Sequence, residues 1–294
     1  MIKRSLLFTL VVFLSFESNA QFQSDSILID GHYRSFHFRT DVALKPGASL
    51  LFLMHGSGGN GMGMARTATN LEAIALKENL LIVYPNGYQN FWNECRRYST
   101  AAANKEDINE QAFFDGMIGY FQSRHKADTA KVFAAGMSGG GHMAYKLGLT
   151  MPDRFHAIAA IIANLPDSAS MDCVVANKAL PVMIINGTDD ETNPYNGGEM
   201  FVNNASFGVV RSTENSFAYW SALAGYKGKP KKKLLPDTDT SDKKRVESYT
   251  FKSKGKPEVT LLKVIGGHHD YPGDIDVFLY IWNFFKRTMP NGQK

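Results

Sequence analysis

The chain has 294 residues, 44% of them hydrophobic, with a mean hydropathy of −0.22 and a formal net charge of +4. Those values are ordinary for one large globular domain with a substantial core. The lysines concentrate between Lys227 and Lys256, interleaved with Asp237, Asp239, Asp242 and Glu247. With no aromatic or Arg-rich recognition module beside them they read as a solvated polar loop, which excludes nucleic acid as a partner.

Met1 to Ala20 has Lys3 and Arg4, an apolar run from Leu6 to Leu14, and a small-residue exit at Ser18-Asn19-Ala20. This is the pattern of a secretory signal peptide cleaved after Ala20. Its apolar run is too short to span a bilayer, and no later stretch approaches the length required. The expected product is residues 21–294, one domain with no membrane attachment, secreted or periplasmic. Loss of Lys3, Arg4 and Glu17 with the leader changes the formal charge to +3.

Two alternating runs around Asp30-Gly31, within Ser26 to Phe38, predict a β-hairpin. The apolar run Leu50 to Met54 predicts a strand buried on both faces, as in a parallel sheet. It leads into His55-Gly56-Ser57-Gly58-Gly59, a loop able to present backbone N–H groups. His55 reads as a brace of that loop. A helix is expected over about Thr69 to Glu78, then a strand Leu80 to Tyr84, the turn Pro85-Asn86-Gly87, and an aromatic and polar loop from Phe91 to Arg97. Phe113, Phe114, Met117, Ile118 and Phe121 recur at helical spacing, which predicts an amphipathic helix over Asp107 to Arg124.

A buried strand Val132 to Ala135 then runs through Gly136-Met137-Ser138-Gly139-Gly140 into a helix ending near Met151, where Pro152 stops it. Strand, G-x-S-x-G and helix in this order are the context of a nucleophile at a sharp turn. The crowded backbone there demands glycine two residues before and two after Ser138. His125, His142 and His156 read as ordinary helix or surface residues. Ala157 to Ala163 and Pro181 to Asn186 are further buried strands. Asn186-Gly187-Thr188-Asp189-Asp190 puts an acid just past the second. Glu258 to Ile265 is another strand, ending in Gly266-Gly267-His268-His269, and Val277 to Arg287 closes the chain as a helix. Strands alternating with helices at this spacing predict an α/β fold whose mostly parallel sheet is covered by helices on both faces.

The order is therefore serine, aspartate, histidine, each just past a strand, as in α/β-hydrolases. A serine is a weak nucleophile until a neutral imidazole takes its proton, and a carboxylate fixes the imidazole tautomer. An oxyanion hole would come from the N–H of Ser57 (or Gly58) and that of Gly139. There is no zinc-protease H-E-x-x-H and there are only two cysteines, so no metal or cofactor is expected.

The set His-Gly-Ser-Gly-Gly-Asn, Tyr-Pro-Asn-Gly, Trp-Asn, Gly-Met-Ser-Gly-Gly, Asn-Gly-Thr-Asp-Asp with Pro194-Tyr195, and Gly-Gly-His-His-x-Tyr-Pro-Gly resembles the secreted polyhydroxybutyrate-depolymerase/feruloyl-esterase family of α/β-hydrolases, whose relatives include acetyl xylan esterases. The resemblance runs from about Leu50 to Phe285. Matching Pro194-Tyr195 to the family pattern implies Asp190 rather than Asp189 as the triad acid. Matching Pro272-Gly273 implies His269 rather than His268 as the base. Asn186, His268 and Tyr271 depart from the usual His, Gly and Trp; bordering the acyl or alcohol pocket, they would bear on substrate identity.

The expected activity is a serine carboxylic ester hydrolase with Ser138, Asp190 and His269 as its triad and an ester, small or polymer-linked, as its partner. Alternatives are a serine peptidase of the same fold and a catalytically inactive binding protein on the same scaffold. Trp92 and Tyr271 are expected to line the substrate pocket. Cys95 and Cys173, the only two cysteines, each follow a strand and would meet at the edge that carries Ser138. Export to an oxidising compartment would pair them in a disulfide.

Overall fold

The computed structural model describes residues 22–39, 44–202 and 204–289; the expected leader lies outside them. In chain order the elements are β1 (Phe22–Ile29), β2 (His32–Arg39), β3 (Ala48–Met54), α1 (Gly61–Thr67), α2 (Thr69–Ala75), β4 (Leu80–Pro85), α3 (Ala102–Lys105), α4 (Glu110–His125), β5 (Ala127–Met137), α5 (Gly139–Thr150), β6 (Ala157–Ile161), β7 (Val182–Gly187), β8 (Gly198–Val202), β9 (Ala205–Val210), α6 (Thr213–Leu223), β10 (Lys231–Leu234), β11 (Arg245–Phe251), β12 (Val259–Ile265) and α7 (Val277–Thr288).

Ten strands form one sheet in the order β1-β2-β4-β3-β5-β6-β7-β12-β11-β10. The six from β4 to β12 are parallel, and two antiparallel strands flank them on each side. Period-2 alternation splits each central strand between two cores. Leu50, Phe52 and Met54 of β3 join one core with α4, α5 and α6; Leu51 and Leu53 join the other with α1, α2 and α7. This is the predicted sheet covered on both faces, and the long apolar runs are explained by burial on both sides.

The N-terminal hairpin turns at Asp30 and Gly31, with φ of +46° and +86°. Positive φ at both central residues suits the tight turn that matches strand twist. Helix α4 starts three residues later than its apolar spacing suggests, because the Asn109 side chain accepts from the Ala112 N–H at 3.0 Å and caps it there.

The lysine-rich stretch is not simply a loop. It contains β10 and β11, the antiparallel edge of the sheet. Lysines on an outermost strand keep its unpaired backbone from recruiting another chain, so the charge that hid the strand also suits its position. Further elements escape the sequence pattern, α1 and α3 among them. The hairpin β8–β9 stands outside the main sheet, and α6 begins at Ser212, whose side chain accepts from Asn215 N–H at 3.1 Å. Among the described residues no helix is long and apolar enough to cross a membrane.

Candidate active site

Parallel strands deliver their C-terminal loops to one edge of a sheet, and that is where the candidate residues gather. Ser138 follows β5 with φ of +51° and ψ of −118°. A non-glycine residue in so sparsely populated a region costs about 1–3 kcal/mol and persists only where the surroundings impose it. Here they do. A Cβ on Gly136 would stand 2.3 Å from the Gly140 carbonyl oxygen, and one on Gly140 would stand 2.3 Å from that of Met54. The strand therefore enters α5 through a turn that only glycines permit. The Ser138 N–H is held by the Ile161 carbonyl at 2.8 Å.

β7 and β12 are parallel neighbours, so their loops emerge side by side. The loops are stitched together by Asp189 N–H to Gly267 O at 2.9 Å and Gly266 N–H to Thr188 Oγ1 at 2.9 Å. Across this seam His269 Nδ1 lies 2.8 Å from Asp190 Oδ2, and its Nε2 lies 3.0 Å from Ser138 Oγ. The other carboxylate oxygen of Asp190 accepts from the N–H groups of Thr192 at 2.9 Å and Asn193 at 2.7 Å. The carboxylate is thus buried and fixed at both ends. The neighbouring residues point elsewhere. Asp189 is met by the Thr188 hydroxyl at 2.7 Å in solvent, and His268 is exposed.

Ser57 packs directly on the turn. A Cβ on Gly139 would lie 3.0 Å from Ser57 N and 2.6 Å from its Oγ. The Gly58 N–H is already used by the Asn90 carbonyl at 2.9 Å, which leaves Ser57 as the donor from that loop. Gly139 is the first residue of α5, where N–H groups have no partner within the helix. Both N–H groups therefore lie at the serine turn.

His55 is the brace expected of it. Its Nε2 accepts from Gly87 N–H at 3.0 Å, so its Nδ1 carries the proton and donates to Gly56 O at 2.7 Å. Burial holds this imidazole below its ordinary pKa, which keeps the tautomer neutral.

Trp92 differs from expectation. It is only 2% exposed, donates from Nε1 to His55 O at 2.9 Å, and packs on His55 and Phe114. Its place in the loop after β4 was the signal for pocket lining, but the indole packs on His55 and supports the loop that His55 opens. Tyr271 does sit beside the serine: its hydroxyl points at Met137 Sδ, 2.7 Å away, and its ring packs on Phe278. Burial pushes this phenol up to about 12. Asn186 is buried, and its side chain joins Ala163, Asn164 and Thr213, tying β7 to the end of β6 and the start of α6.

Cys95 and Cys173 are bonded, with Cα atoms 5.1 Å apart. The bridge ties the loop after β4 to the loop after β6, and the unpredicted hairpin β8–β9 rests on both. Val209 N–H meets Ser170 Oγ at 3.2 Å, and Arg96, wholly buried and paired with Glu94, reaches Met200 Sδ at 3.0 Å and lies over the Phe207 ring. Asn86 is another residue whose role the sequence hid. Its side chain accepts from Gly61 N–H at 2.7 Å and donates to Ser35 and His37, anchoring α1 to the sheet.

A serine turn after the central strand of such a sheet, with helices on both faces, defines the α/β-hydrolase fold. The profile of the phospholipase/carboxylesterase family matches residues 37–217, more than half of the chain, and the chain belongs to that family. Among curated relatives, a putative esterase NocK of Nocardia uniformis subsp. tsuyamanensis is 25% identical over 175 residues, covering 58% of this chain and 49% of that protein. Feruloyl esterase B of Piromyces equi is 25% identical over 197 residues, covering 66% and 34%. The chain thus spans about half or less of the length of these relatives. An acetyl xylan esterase from Aspergillus awamori superposes with a TM-score of 0.61 over 90% of this chain and 99% of that one, at 14% identity. At that identity the likeness speaks for the fold.

Proposed function

We propose that the protein is a serine carboxylic ester hydrolase that works through an acyl-enzyme. Ser138 Oγ attacks the ester carbonyl while His269 Nε2 takes its proton; Asp190 holds the ring in the required tautomer and stabilises the imidazolium. The negative charge that develops on the carbonyl oxygen is met by the N–H groups of Ser57 and Gly139, and one such donor contributes ~10²–10³ in rate. The alcohol departs with the proton from His269, and water then repeats the sequence on the acyl-enzyme.

The observation that carries this reading is the His269 ring, within hydrogen-bond reach of Ser138 on one nitrogen and of Asp190 on the other. The names of the relatives favour an ester attached to a plant polysaccharide, acetyl or feruloyl, over a polyester. A secreted single domain, freed of residues 1–20, fits such a substrate and the disulfide. The test is labelling with a fluorophosphonate together with hydrolysis of p-nitrophenyl acetate. Wild-type protein reacts in both and Ser138→Ala in neither; hydrolysis undiminished in that variant would refute the assignment.

A further inference from the structure

The loop that meets the Gly58 N–H through Asn90 also borders an open cleft of about 320 Å³ that the proposed chemistry leaves unused, walled chiefly by Phe91, Ala101, Ala102, Val202, Ala205 and Phe207. We propose that this cleft is the acyl subsite, shaped for an apolar acyl group larger than acetyl. The inference rests on the serine-esterase reading above.

Three observations carry it. First, composition: among the described residues, none that lines the cleft is charged; two aromatic rings, three alanines and Val202 supply most of its walls, with Gln89 and Thr100 as the polar members. Ligand sites are commonly apolar hollows of at least this size. Second, position. Gln89 and Phe91, both in the wall, flank Asn90, whose carbonyl takes the Gly58 N–H at 2.9 Å. The cleft therefore begins one residue from the loop that supplies the Ser57 donor. The leaving oxygen receives its proton from His269, so the alcohol lies on the β12 side of Ser138. The acyl chain points away from the base, toward the loop after β4 and the hairpin β8–β9.

Third, the wall is built to stay open. Phe91 and Phe207 stack with centroids 6.4 Å apart, too close to admit a ring between them, so a ligand lies along them. Arg96, fully buried, holds the hairpin from beneath through Met200 and Phe207. The Cys95–Cys173 bridge fixes the loop that carries Arg96. An apolar hollow kept open in water by buried ionic and covalent supports is pre-organised for an apolar guest.

Each methylene moved from water into such a cleft favours binding roughly fourfold. The test compares kcat/KM for p-nitrophenyl hexanoate with p-nitrophenyl acetate, and for hexyl acetate with ethyl acetate, in wild type, Ala102→Trp and Ala205→Trp. The two tryptophans fill the cleft from different chain segments, so a folding failure in one, detected by its melting curve, leaves the other. Wild type prefers hexanoate to acetate by ~10-fold or more. Each tryptophan lowers that ratio by about the same factor and leaves the hexyl-to-ethyl ratio as it was. A ratio unchanged in the acyl series, or one altered only in the alcohol series, overturns the subsite. Wild type that hydrolyses none of the four esters overturns the esterase reading itself, and the subsite with it.

Discussion

The serine turn and the wall of the acyl cleft are neighbours in space and opposites in construction. The turn is specified by five consecutive residues, Gly136 to Gly140. Its glycines are imposed by atoms of the same turn and of the adjoining β3 end, such as Gly140 O and Met54 O. The wall is assembled from three stretches far apart in sequence. Arg96 meets Met200, Cys95 meets Cys173 and Phe91 meets Phe207. The nucleophile's turn is therefore encoded locally, whereas the proposed acyl wall, like the partners Asp190 and His269, depends on long-range packing. A substitution in the turn changes how fast any ester reacts, while one in the wall changes which ester reacts.

The largest expected effect falls in the turn. Ser138→Ala leaves the protein folded and lowers kcat by ~10⁶, since losing a triad serine costs about as much as losing the whole triad. Burst kinetics and phosphonate labelling check it. Activity above a few per cent would mean that another serine does the chemistry and that the turn has no special standing. Next comes the seam between β7 and β12. Asp190→Asn traps the wrong imidazole tautomer and costs ~10⁴, whereas Asp189→Asn, altering a solvent-exposed carboxylate, costs less than tenfold. A severe loss in the second variant alone would reverse the assignment of the acid.

The wall responds through stability. The bridge closes a span of 78 residues, for which the chain-entropy model gives about 4.5 kcal/mol. Cys95→Ser/Cys173→Ser should lower the unfolding free energy by that order and erode the preference for larger acyl groups more than it lowers turnover of acetate. Equal loss on both esters would erase the distinction between turn and wall.

Much of the site was legible because buried strands announce themselves. Leu50 to Met54, Val132 to Ala135 and Val182 to Asn186 are runs no solvent-exposed element tolerates, and each points at the loop it delivers. The neighbour choices Asp190 over Asp189 and His269 over His268 agree with the observed geometry. They came from matching Pro194-Tyr195 and Pro272-Gly273 to the pattern of the resembled family, not from either residue alone. Trp92 was misplaced because sequence shows that an aromatic is near a loop but not whether it lies above or beneath. The hairpin β8–β9 was missed because its strands are short and half exposed; the pair Asn203-Asn204 between Glu199-Met200-Phe201-Val202 and Ser206-Phe207-Gly208-Val209 was the available turn signal. Helix α6 had its own, a Ser212 cap before Glu214.

The smallest effect concerns His142, which joins the two regions. It stands one turn into α5 behind Ser138, is 2% exposed, and lies near Arg96 of the wall and His269 of the proposed triad. Neither ring nitrogen has a well-formed hydrogen bond; the Asn164 backbone is at best a weak partner. Burial, helped by the Arg96 charge, holds the imidazole well below its ordinary pKa. His55 is lowered in the same direction by burial. An unfolded chain takes up these protons near pH 6.5, while the folded chain refuses them until the pH is lower. Between those points the unfolded state binds more protons, so stability is full above about pH 6.5 and falls as the pH drops. Urea midpoints at pH 7.5 and 5.5 should show this decline in wild type. His142→Leu, which removes a proton-binding group without removing a strong hydrogen bond, should make it shallower. An unchanged slope in that variant would mean that His142 is charged in the folded protein, and that turn and wall meet through an ion rather than through a neutral ring.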